Sequence, residues 1–169
     1  MIALGDTGWT IETDARGKPL ACGPGTRHVS IAHSRSIVAA AASAVGPIGI
    51  DIEYLDAARD LDRLACAAYG VEERRSVASQ GASAFYRIWT VREAISKATG
   101  DGMALVADRL DRVPASMRDG AFVSASGDWL IAHDVVAQDF SLALAAYVES
   151  PEERRRLEGL SIKSALWSA

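Results

Sequence analysis

Hydrophobic and polar residues alternate with a period of two in several short segments of the first half of the chain. Residues 8–13, 28–34 and 48–55 show this alternation, which is typical of β-strands with one buried face. Residues 37–45 are almost wholly apolar, which fits a buried strand, although their alanines would suit a helix equally well. Turns rich in glycine and proline separate these segments. The first half is therefore predicted to be mainly β-structure.

A helical period replaces this alternation in the middle of the chain. From 60 to 79 apolar residues recur every three or four positions, with a break near Gly70. A stronger amphipathic pattern covers about 83–99 and ends at Gly100, a typical residue just beyond a helix. We expect two helical segments here, the second with one apolar stripe facing the core.

Strand patterns return in the last third, over 121–126, 128–136 and 140–148, and a charged segment after Pro151 is predicted to be a solvated helix. Strands around a long central helix, without regular strand–helix alternation, indicate an α+β fold. The expected architecture is a small antiparallel sheet with the long helix packed on it.

Composition narrows the function classes. The chain of 169 residues has a net charge of −4, with 49% hydrophobic and 24% charged residues, values of an ordinary globular protein. A general nucleic-acid binder would show a basic surface instead. Cys22 and Cys66 match no metal-ligand spacing and are expected to be reduced. No segment resembles a leader or membrane span, so we expect no membrane association and a cytoplasmic location.

Two carboxylates lie on one face of the predicted strand 48–53. Alternation places the three isoleucines on one face and Gly49, Asp51 and Glu53 on the other, with the carboxylate-bearing Cα atoms about 7 Å apart. A divalent cation with oxygen ligands would relieve the repulsion between two such acids. The alternative is a half-exposed strand whose acids face water, and the segment by itself favours that alternative.

The long predicted helix adds Glu93 and Lys97, which are one turn apart and share a face, with Trp89 one turn earlier. On their own they fit a common surface ion pair on an amphipathic helix. Taken with Asp51 and Glu53, they give three carboxylates and a lysine. This set fits a Mg²⁺ site with a neighbouring cation, which suits phosphoryl chemistry.

The two segments together resemble a known signature. Residues 48–51 (IGID) and 89–97 (WTVREAISK) are similar to the paired motifs of the 4′-phosphopantetheinyl transferase superfamily. The turn 17–19 (GKP) and the strand 29–34 (VSIAHS) precede them in the order found in the surfactin-synthetase-activating subgroup. The glycines that follow the helix, with Met103, also resemble the family's Gly-x-Gly-Leu loop.

The resemblance implies an enzyme that moves phosphopantetheine from coenzyme A to a serine of an acyl or peptidyl carrier protein, as in fatty acid, polyketide or nonribosomal peptide biosynthesis. It implies that Asp51, Glu53 and Glu93 coordinate Mg²⁺. Lys97 would contact the pyrophosphate of coenzyme A. Glu93 and Lys97 would be the catalytic residues, with Glu93 or a metal-bound water accepting the serine proton.

The same resemblance places the nucleotide end of coenzyme A near Lys18, Pro19 and His33. Arg27 is a further residue that could reach a phosphate, whereas His28 and His133 are interpreted as structural or surface residues. Ala32 replaces a family serine and removes one phosphate donor.

The resemblance also suggests a division into an abbreviated N-terminal lobe (1–46), a main transferase lobe (47–150) and a C-terminal tail (151–169). A truncated lobe would leave apolar surface uncovered, so self-association into a homo-oligomer is a hypothesis. Arg74, Arg75 and Arg87 are candidate contacts for an acidic carrier protein.

Two alternatives remain open at this point. One is a catalytically degenerate family member that binds coenzyme A or a carrier protein without transfer. The other is a different Mg²⁺-dependent phosphotransfer or phosphohydrolase enzyme built on similar acids.

Overall fold

The computed structural model describes residues 8–102, 123–124 and 129–158. The predicted strand 121–126, Met103 and the end of the tail lie partly or wholly outside these residues. The strands are β1 (Thr10–Thr13), β2 (Pro19–Cys22), β3 (His28–Ser34), β4 (Ile37–Ser43), β5 (Ile48–Tyr54), β6 (Val123–Ser124), β7 (Trp129–Val136) and β8 (Phe140–Tyr147). The helices are α1 (Leu61–Ala68), α2 (Val71–Gln80), α3 (Ala82–Thr99) and α4 (Pro151–Glu158).

The main sheet is antiparallel in the order β5-β8-β7-β6, and α3 packs across β5 and β8. One apolar cluster lies between this helix and the sheet and includes Phe85, Ile95 and Ile131. A second cluster, with Ile52 and Leu142, lies on the side of the β3–β4 hairpin. The predicted mixed α+β architecture with antiparallel pairing is confirmed.

Helix α3 ends where the sequence predicts. Gly100 has φ of 79° and donates its backbone N–H to Ser96, which closes the last turn in the left-handed conformation that glycine tolerates. The helical pattern of 60–79 forms the two helices α1 and α2, which are interrupted at Tyr69 and Gly70. Asp60 caps the first of these by accepting a hydrogen bond from the Arg63 N–H. None of the described helices has the length and apolarity needed to cross a bilayer.

Strand β5 is buried on both faces, because α3 covers the face that carries Gly49 and Asp51. Ile50 and Ile52 pack in the second cluster on the opposite side. Asp51 is only 4% exposed. The alternative in which these acids face water is therefore wrong for Asp51.

Gly49 permits the close approach of α3. A Cβ atom added at this position would overlap the carbonyl oxygen of Ala94 and lie 2.7 Å from the amide nitrogen of Ala98. Both obstacles are backbone atoms of a helix, which cannot move aside as a flexible side chain can. A side chain at position 49 would therefore push α3 away from β5.

Two hairpins, β1–β2 and β3–β4, precede β5. Strand β3 runs along the free edge of β5 and is joined to it by serine side chains: Ile50 N–H donates to Ser30 Oγ at 3.0 Å, and Tyr54 N–H donates to Ser34 Oγ at 3.0 Å. These bonds satisfy edge groups that would otherwise be unpaired. No described residue ahead of β5 is helical, so the described part of the predicted N-terminal lobe consists of strands and turns.

Strand β4 is less buried than its apolar sequence suggests. Val38 is 66% exposed, and Ala40 and Ala42 are also exposed. Their register partners include Ile31, which is itself 44% exposed. The expectation of a buried strand is thus wrong for one face, because no described element packs over the outer side of this hairpin.

A buried ion pair ties α2 to α3. Arg92 donates from Nη2 to both carboxylate oxygens of Glu73, at 2.9 and 2.7 Å, and from Nη1 to the Ala68 carbonyl at 2.8 Å. Glu73 also accepts the Gly70 N–H, and Arg92 lies over the Tyr69 ring. Both charged side chains are less than 10% exposed. Arg92, the basic residue of the motif WTVREAISK, therefore has a structural role, and it directly precedes Glu93 in the sequence.

We predict that Gly49→Ala destabilises the protein by about 3 kcal/mol or more, because the added methyl group overlaps helix backbone. Urea denaturation of the variant measures the loss. Gly70→Ala is the matched control, since its Cβ would meet only Glu73 Oε2 at 3.8 Å and its φ of −69° suits alanine. Equal stability of Gly49→Ala and the wild type would contradict the close approach.

Glu73→Gln is predicted to lower the free energy of unfolding by about 3 kcal/mol, because Arg92 stays buried without its counter-charge. Glu72→Gln on the same helix removes an exposed pair with Arg75, whose side chains are 62% and 70% exposed, and should change stability by less than about 1 kcal/mol. Chemical denaturation of both variants gives the comparison. Similar losses would show that burial does not distinguish the two pairs.

Candidate active site

The site is centred on an ion pair between β5 and α3. Lys97 Nζ lies 2.5 Å from Asp51 Oδ1. Asp51 Oδ2 is buried and has no hydrogen-bond partner among the described residues. A buried carboxylate oxygen without a donor is costly, so this atom marks a position where a ligand or a cation would be favourable.

The other two predicted acids act on this pair electrostatically. Burial raises the pKa of Asp51 to about 7; Lys97 lowers this pKa, while Glu93 and Glu53 raise it. Burial likewise raises the pKa of Glu93, Lys97 opposes that change, and Glu53 adds to it. The structure therefore brings all four residues into one electrostatic group, as the sequence predicted, with more negative than positive charge.

Glu53 is held by a residue that sequence reasoning missed. Ser34 Oγ donates to Glu53 Oε2 at 3.1 Å while accepting the Tyr54 N–H. Ser30 and Ser34 are four residues apart on the buried face of β3, and this spacing on a strand was the available signal. The hydroxyl orients the Glu53 carboxylate toward the β3 side of the site.

A cleft of about 260 Å³ opens beside Lys97. Three of the predicted binding residues, Lys18, Pro19 and Lys97, line it, although Lys97 is far from the other two in the sequence. The cleft is also lined by residues that the sequence analysis did not name as binding residues, although most of them lie in the quoted motif segments. Arg16 directly precedes the Gly-Lys-Pro turn, and this position was the available signal for it. These additional residues are Arg16, Gly17, Val29, Ser30, Ile31, Ser96, Gly100 and Gly102.

Lys18 is held against the end of α3. Its Nζ donates to the Ala98 carbonyl at 2.8 Å, one of the carbonyl groups left unpaired at a helix C-terminus. The turn that presents it is closed by Asp14, whose Oδ1 accepts the Lys18 and Arg16 N–H groups. Burial lowers the pKa of the Lys18 amine, and Asp14 and Asp101 oppose this change.

The remaining predicted residues are placed differently. His33 is exposed on β3 and is not among the residues that line the cleft. Trp89 stacks on Phe85 with ring centroids 6.0 Å apart, as part of the apolar cluster. His133 is buried, with Nε2 2.9 Å from Ser141 Oγ, which agrees with a structural interpretation.

The donor chemistry of the site fits Mg²⁺. The carboxylates of Asp51, Glu53 and Glu93 are hard oxygen ligands, and the buried Asp51 Oδ2 has no partner among the described residues. As they stand, however, no three acidic, histidine or cysteine side chains in the described ranges form a ready metal cluster. Lys97 presently neutralises Asp51, so the metal assignment remains a prediction about these residues.

Comparison with known proteins gives a likeness for the segment that contains the central ion pair. Residues 47–125 match the family model of the 4′-phosphopantetheinyl transferase superfamily. The matched segment contains Asp51, Glu53, Glu93 and Lys97, and thus both elements that form the central ion pair. It does not include Lys18, Pro19 or His33.

A curated relative gives a second likeness to the transferase superfamily. The chain is 36% identical over 101 residues to the 4′-phosphopantetheinyl transferase HetI of Nostoc sp., across 54% of this chain. The chain spans 41% of the length of that relative. The superfamily domain is therefore supported for the segment that holds the carboxylates, and the assignment to a surfactin-type subgroup stays a prediction.

Asp51→Asn is predicted to stabilise the metal-free protein above neutral pH. Because the folded-state pKa is near 7 and the ordinary value is 3.8, the folded state binds more protons in between, so stability should fall as pH rises from about 4 to 7. The asparagine variant lacks this decrease, and Lys97, with a side chain 32% exposed, can turn to solvent.

The measurement is the free energy of unfolding of both proteins against pH in a chelator. Parallel curves for the variant and the wild type would contradict the raised pKa of Asp51.

Proposed function

We propose that this protein transfers 4′-phosphopantetheine from coenzyme A to a serine of an acyl or peptidyl carrier protein, with release of 3′,5′-ADP. The observation that carries the proposal is the Asp51–Lys97 pair, formed by the two motif segments and lying beside a cleft lined with cations. The likeness of 47–125 to the transferase superfamily supports it.

In this proposal Asp51, Glu53 and Glu93 hold Mg²⁺, which would supply positive charge next to the diphosphate of coenzyme A. Lys97 binds the same diphosphate from the cleft. When Lys97 turns to the phosphates, it interacts with both the phosphates and Asp51. Burial strengthens the attraction between Lys97 and Asp51, because Asp51 lies in a region of low dielectric constant.

The transfer itself requires few groups. The carrier serine oxygen bonds to the β-phosphorus as the bond from that phosphorus to the bridging oxygen breaks. Lys97 stabilises the charge that gathers on the departing 3′,5′-ADP. Glu93 accepts the serine proton, directly or through a water molecule.

The nucleotide end of coenzyme A is proposed to lie along the hairpin side of the cleft, with Lys18 and Pro19 as contacts. Lys18 can exchange its bond to the Ala98 carbonyl for a phosphate oxygen, since both are acceptors. His33 stays a proposed contact with the nucleotide, although it does not line the cleft.

A carrier protein is the proposed macromolecular partner. Arg74, Arg75 and Arg87 lie on α2 and α3, and Arg75 is exposed. An acidic carrier would meet these arginines next to the helix that bears Glu93, where its acids could replace Glu72 as the partner of Arg75. A cytoplasmic location and a surfactin-type subgroup with a shortened first lobe are part of the proposal. Self-association through the exposed Ile31 and Val38 is the accompanying hypothesis on assembly.

The test is intact-protein mass spectrometry of several apo carrier proteins incubated with the protein, coenzyme A and Mg²⁺. We expect a phosphopantetheine mass gain that requires Mg²⁺ and falls at least about a hundredfold in rate with Glu93→Gln, since the base and a metal ligand are lost. Glu152→Gln, on the exposed surface of α4, is the control and should retain the wild-type rate.

The outcomes separate the alternatives. Coenzyme A binding without transfer to any carrier would favour a degenerate binding protein. Hydrolysis of simple phosphate esters without carrier modification would favour another Mg²⁺-dependent phosphotransfer enzyme. Transfer that persists in Glu93→Gln would contradict the assignment of this residue.

A further inference from the structure

The tip of the β3–β4 hairpin (residues 34–37, called the hairpin tip) lies against the end of β5. Ser34 and Ile37 are register partners, so the turn between them is tight. Arg35 in this turn has a φ of 53°, in the left-handed region that residues with a side chain rarely enter. The turn places Ser34 and Arg35 beside the last residues of β5.

The Ser34 hydroxyl bonds to two neighbouring residues of β5. Its Oγ accepts the Tyr54 N–H at 3.0 Å and donates to Glu53 Oε2 at 3.1 Å. Because an ionised carboxylate can only accept, the single hydrogen of this hydroxyl is committed to Glu53. Ser34 is 9% exposed, so little water competes for the bond, and a hydrogen bond to a charged group is stronger than one between neutral groups.

Arg35 holds the residue that follows Glu53. Its guanidinium carbon lies 3.2 Å from the centroid of the Tyr54 ring, and its Nη2 lies 3.9 Å from Asp56 Oδ2. The Tyr54 ring also makes an edge contact with Phe140, with the ring centroids 5.4 Å apart. The hairpin tip therefore holds this end of β5 through a cation–π contact as well as through hydrogen bonds.

Ser34 leaves one oxygen of Glu53 for a ligand. Among the described residues, Ser34 is the one hydrogen-bond donor to the Glu53 carboxylate, and it uses Oε2. Glu53 also lies close enough to Asp51 and Glu93 to raise the pKa of both. Its Oε1 is thus the oxygen available to a cation bound among the three acids. A glutamate side chain that is fixed before a ligand arrives does not have to be ordered during binding, which favours affinity.

We propose that Ser34 is a positioning residue, whose hydroxyl fixes the Glu53 carboxylate so that Oε1 is available to a divalent cation. The inference rests on the proposed function, because it takes Glu53 as one of the ligands of that cation. Ser34 lies outside the segment 47–125 that matches the superfamily, so the hairpin tip adds to the site from another part of the chain. Removal of such a bond to a metal-binding side chain typically weakens metal affinity by about ten- to a hundredfold.

The first test is the binding of Mn²⁺, a paramagnetic substitute for Mg²⁺, to the whole chain without coenzyme A, followed by electron paramagnetic resonance. Loss of a bound ion in Glu53→Gln identifies the site. Ser34→Ala should weaken Mn²⁺ binding at this site about tenfold, because Glu53 is no longer fixed. Ser34→Thr keeps the hydroxyl and should restore most of the affinity. Ser34→Val has the shape of the threonine variant without its hydroxyl and should not restore it.

Transfer kinetics give a second measurement. Ser34→Ala should raise the Mg²⁺ concentration that gives the half-maximal rate about tenfold. The rate at saturating Mg²⁺ and the KM for coenzyme A should change less than about twofold, because Ser34 acts only through Glu53. A general loss of structure would instead lower the rate at every Mg²⁺ concentration.

Ser30→Ala is the matched structural control. Ser30 lies on the same face of β3 and accepts the Ile50 N–H at 3.0 Å, as Ser34 accepts the Tyr54 N–H at 3.0 Å. No carboxylate of the described residues is bonded to it. Urea denaturation should show similar losses of stability in the two alanine variants, and Ser30→Ala should retain the wild-type affinity for Mn²⁺.

Unchanged Mn²⁺ affinity in Ser34→Ala, or equal weakening in both alanine variants, would overturn the positioning role. So would wild-type Mn²⁺ binding that does not depend on Glu53. Where Ser34→Ala does not fold, the comparison of the threonine and valine variants decides, and equal affinities would overturn the role.

The proposed function fails or stands separately. Carrier modification by the wild type, with Mn²⁺ affinity unchanged in Ser34→Ala, would leave the transferase activity standing and overturn the positioning role. Weaker Mn²⁺ binding in Ser34→Ala, without transfer to any carrier by the wild type, would support the positioning role and contradict the transferase activity.

Discussion

The contact of helix α3 with strand β5 at Gly49 determines how closely Lys97 and Glu93 of the helix approach Asp51 of the strand. Because no side chain separates the strand from the helix backbone at Ala94 and Ala98, the helix rests directly on the face that carries Asp51. Lys97 then reaches Asp51, and Glu93 enters its electrostatic range. If α3 lay farther from β5, Asp51 would be more exposed, and its pKa would lie closer to the ordinary value.

The same contact buries the Asp51 carboxylate without giving both of its oxygens a partner among the described residues. Burial disfavours charge on Asp51 more strongly than Lys97 favours it, so the pKa of Asp51 stays raised although Lys97 offsets the repulsion from Glu93 and Glu53. Specific contacts hold the surrounding elements: the buried Arg92–Glu73 pair joins α2 to α3, and serine hydroxyls bond the edge of β5. Such supporting contacts around a buried carboxylate oxygen that lacks a partner among the described residues are expected of a site that binds a ligand.

Much of this could be predicted from the sequence. The period of the apolar residues gives the extent of α3, and alternation in β5 shows that Asp51 and Glu53 share a face. Alternation cannot show what covers that face, so the burial of Asp51 needed the structure. Local sequence patterns could not predict the cleft either, because it depends on the contact of Lys18 with the Ala98 carbonyl, 80 positions away in the sequence. The exposed side of β4 was misjudged for the same reason, since the burial of an alanine-rich strand depends on its neighbours.

The choice of cation in this chain has a practical consequence for chemical labelling. Its basic residues are almost all arginines, and the only lysines are Lys18, Lys97 and Lys163. Two of these three primary amines line one cleft, and partial burial makes that of Lys18 easier to deprotonate than a typical lysine. Acylating reagents and aldehydes react with neutral amines and spare guanidinium groups. The pattern of amine modification is therefore a direct chemical record of whether the cleft is filled.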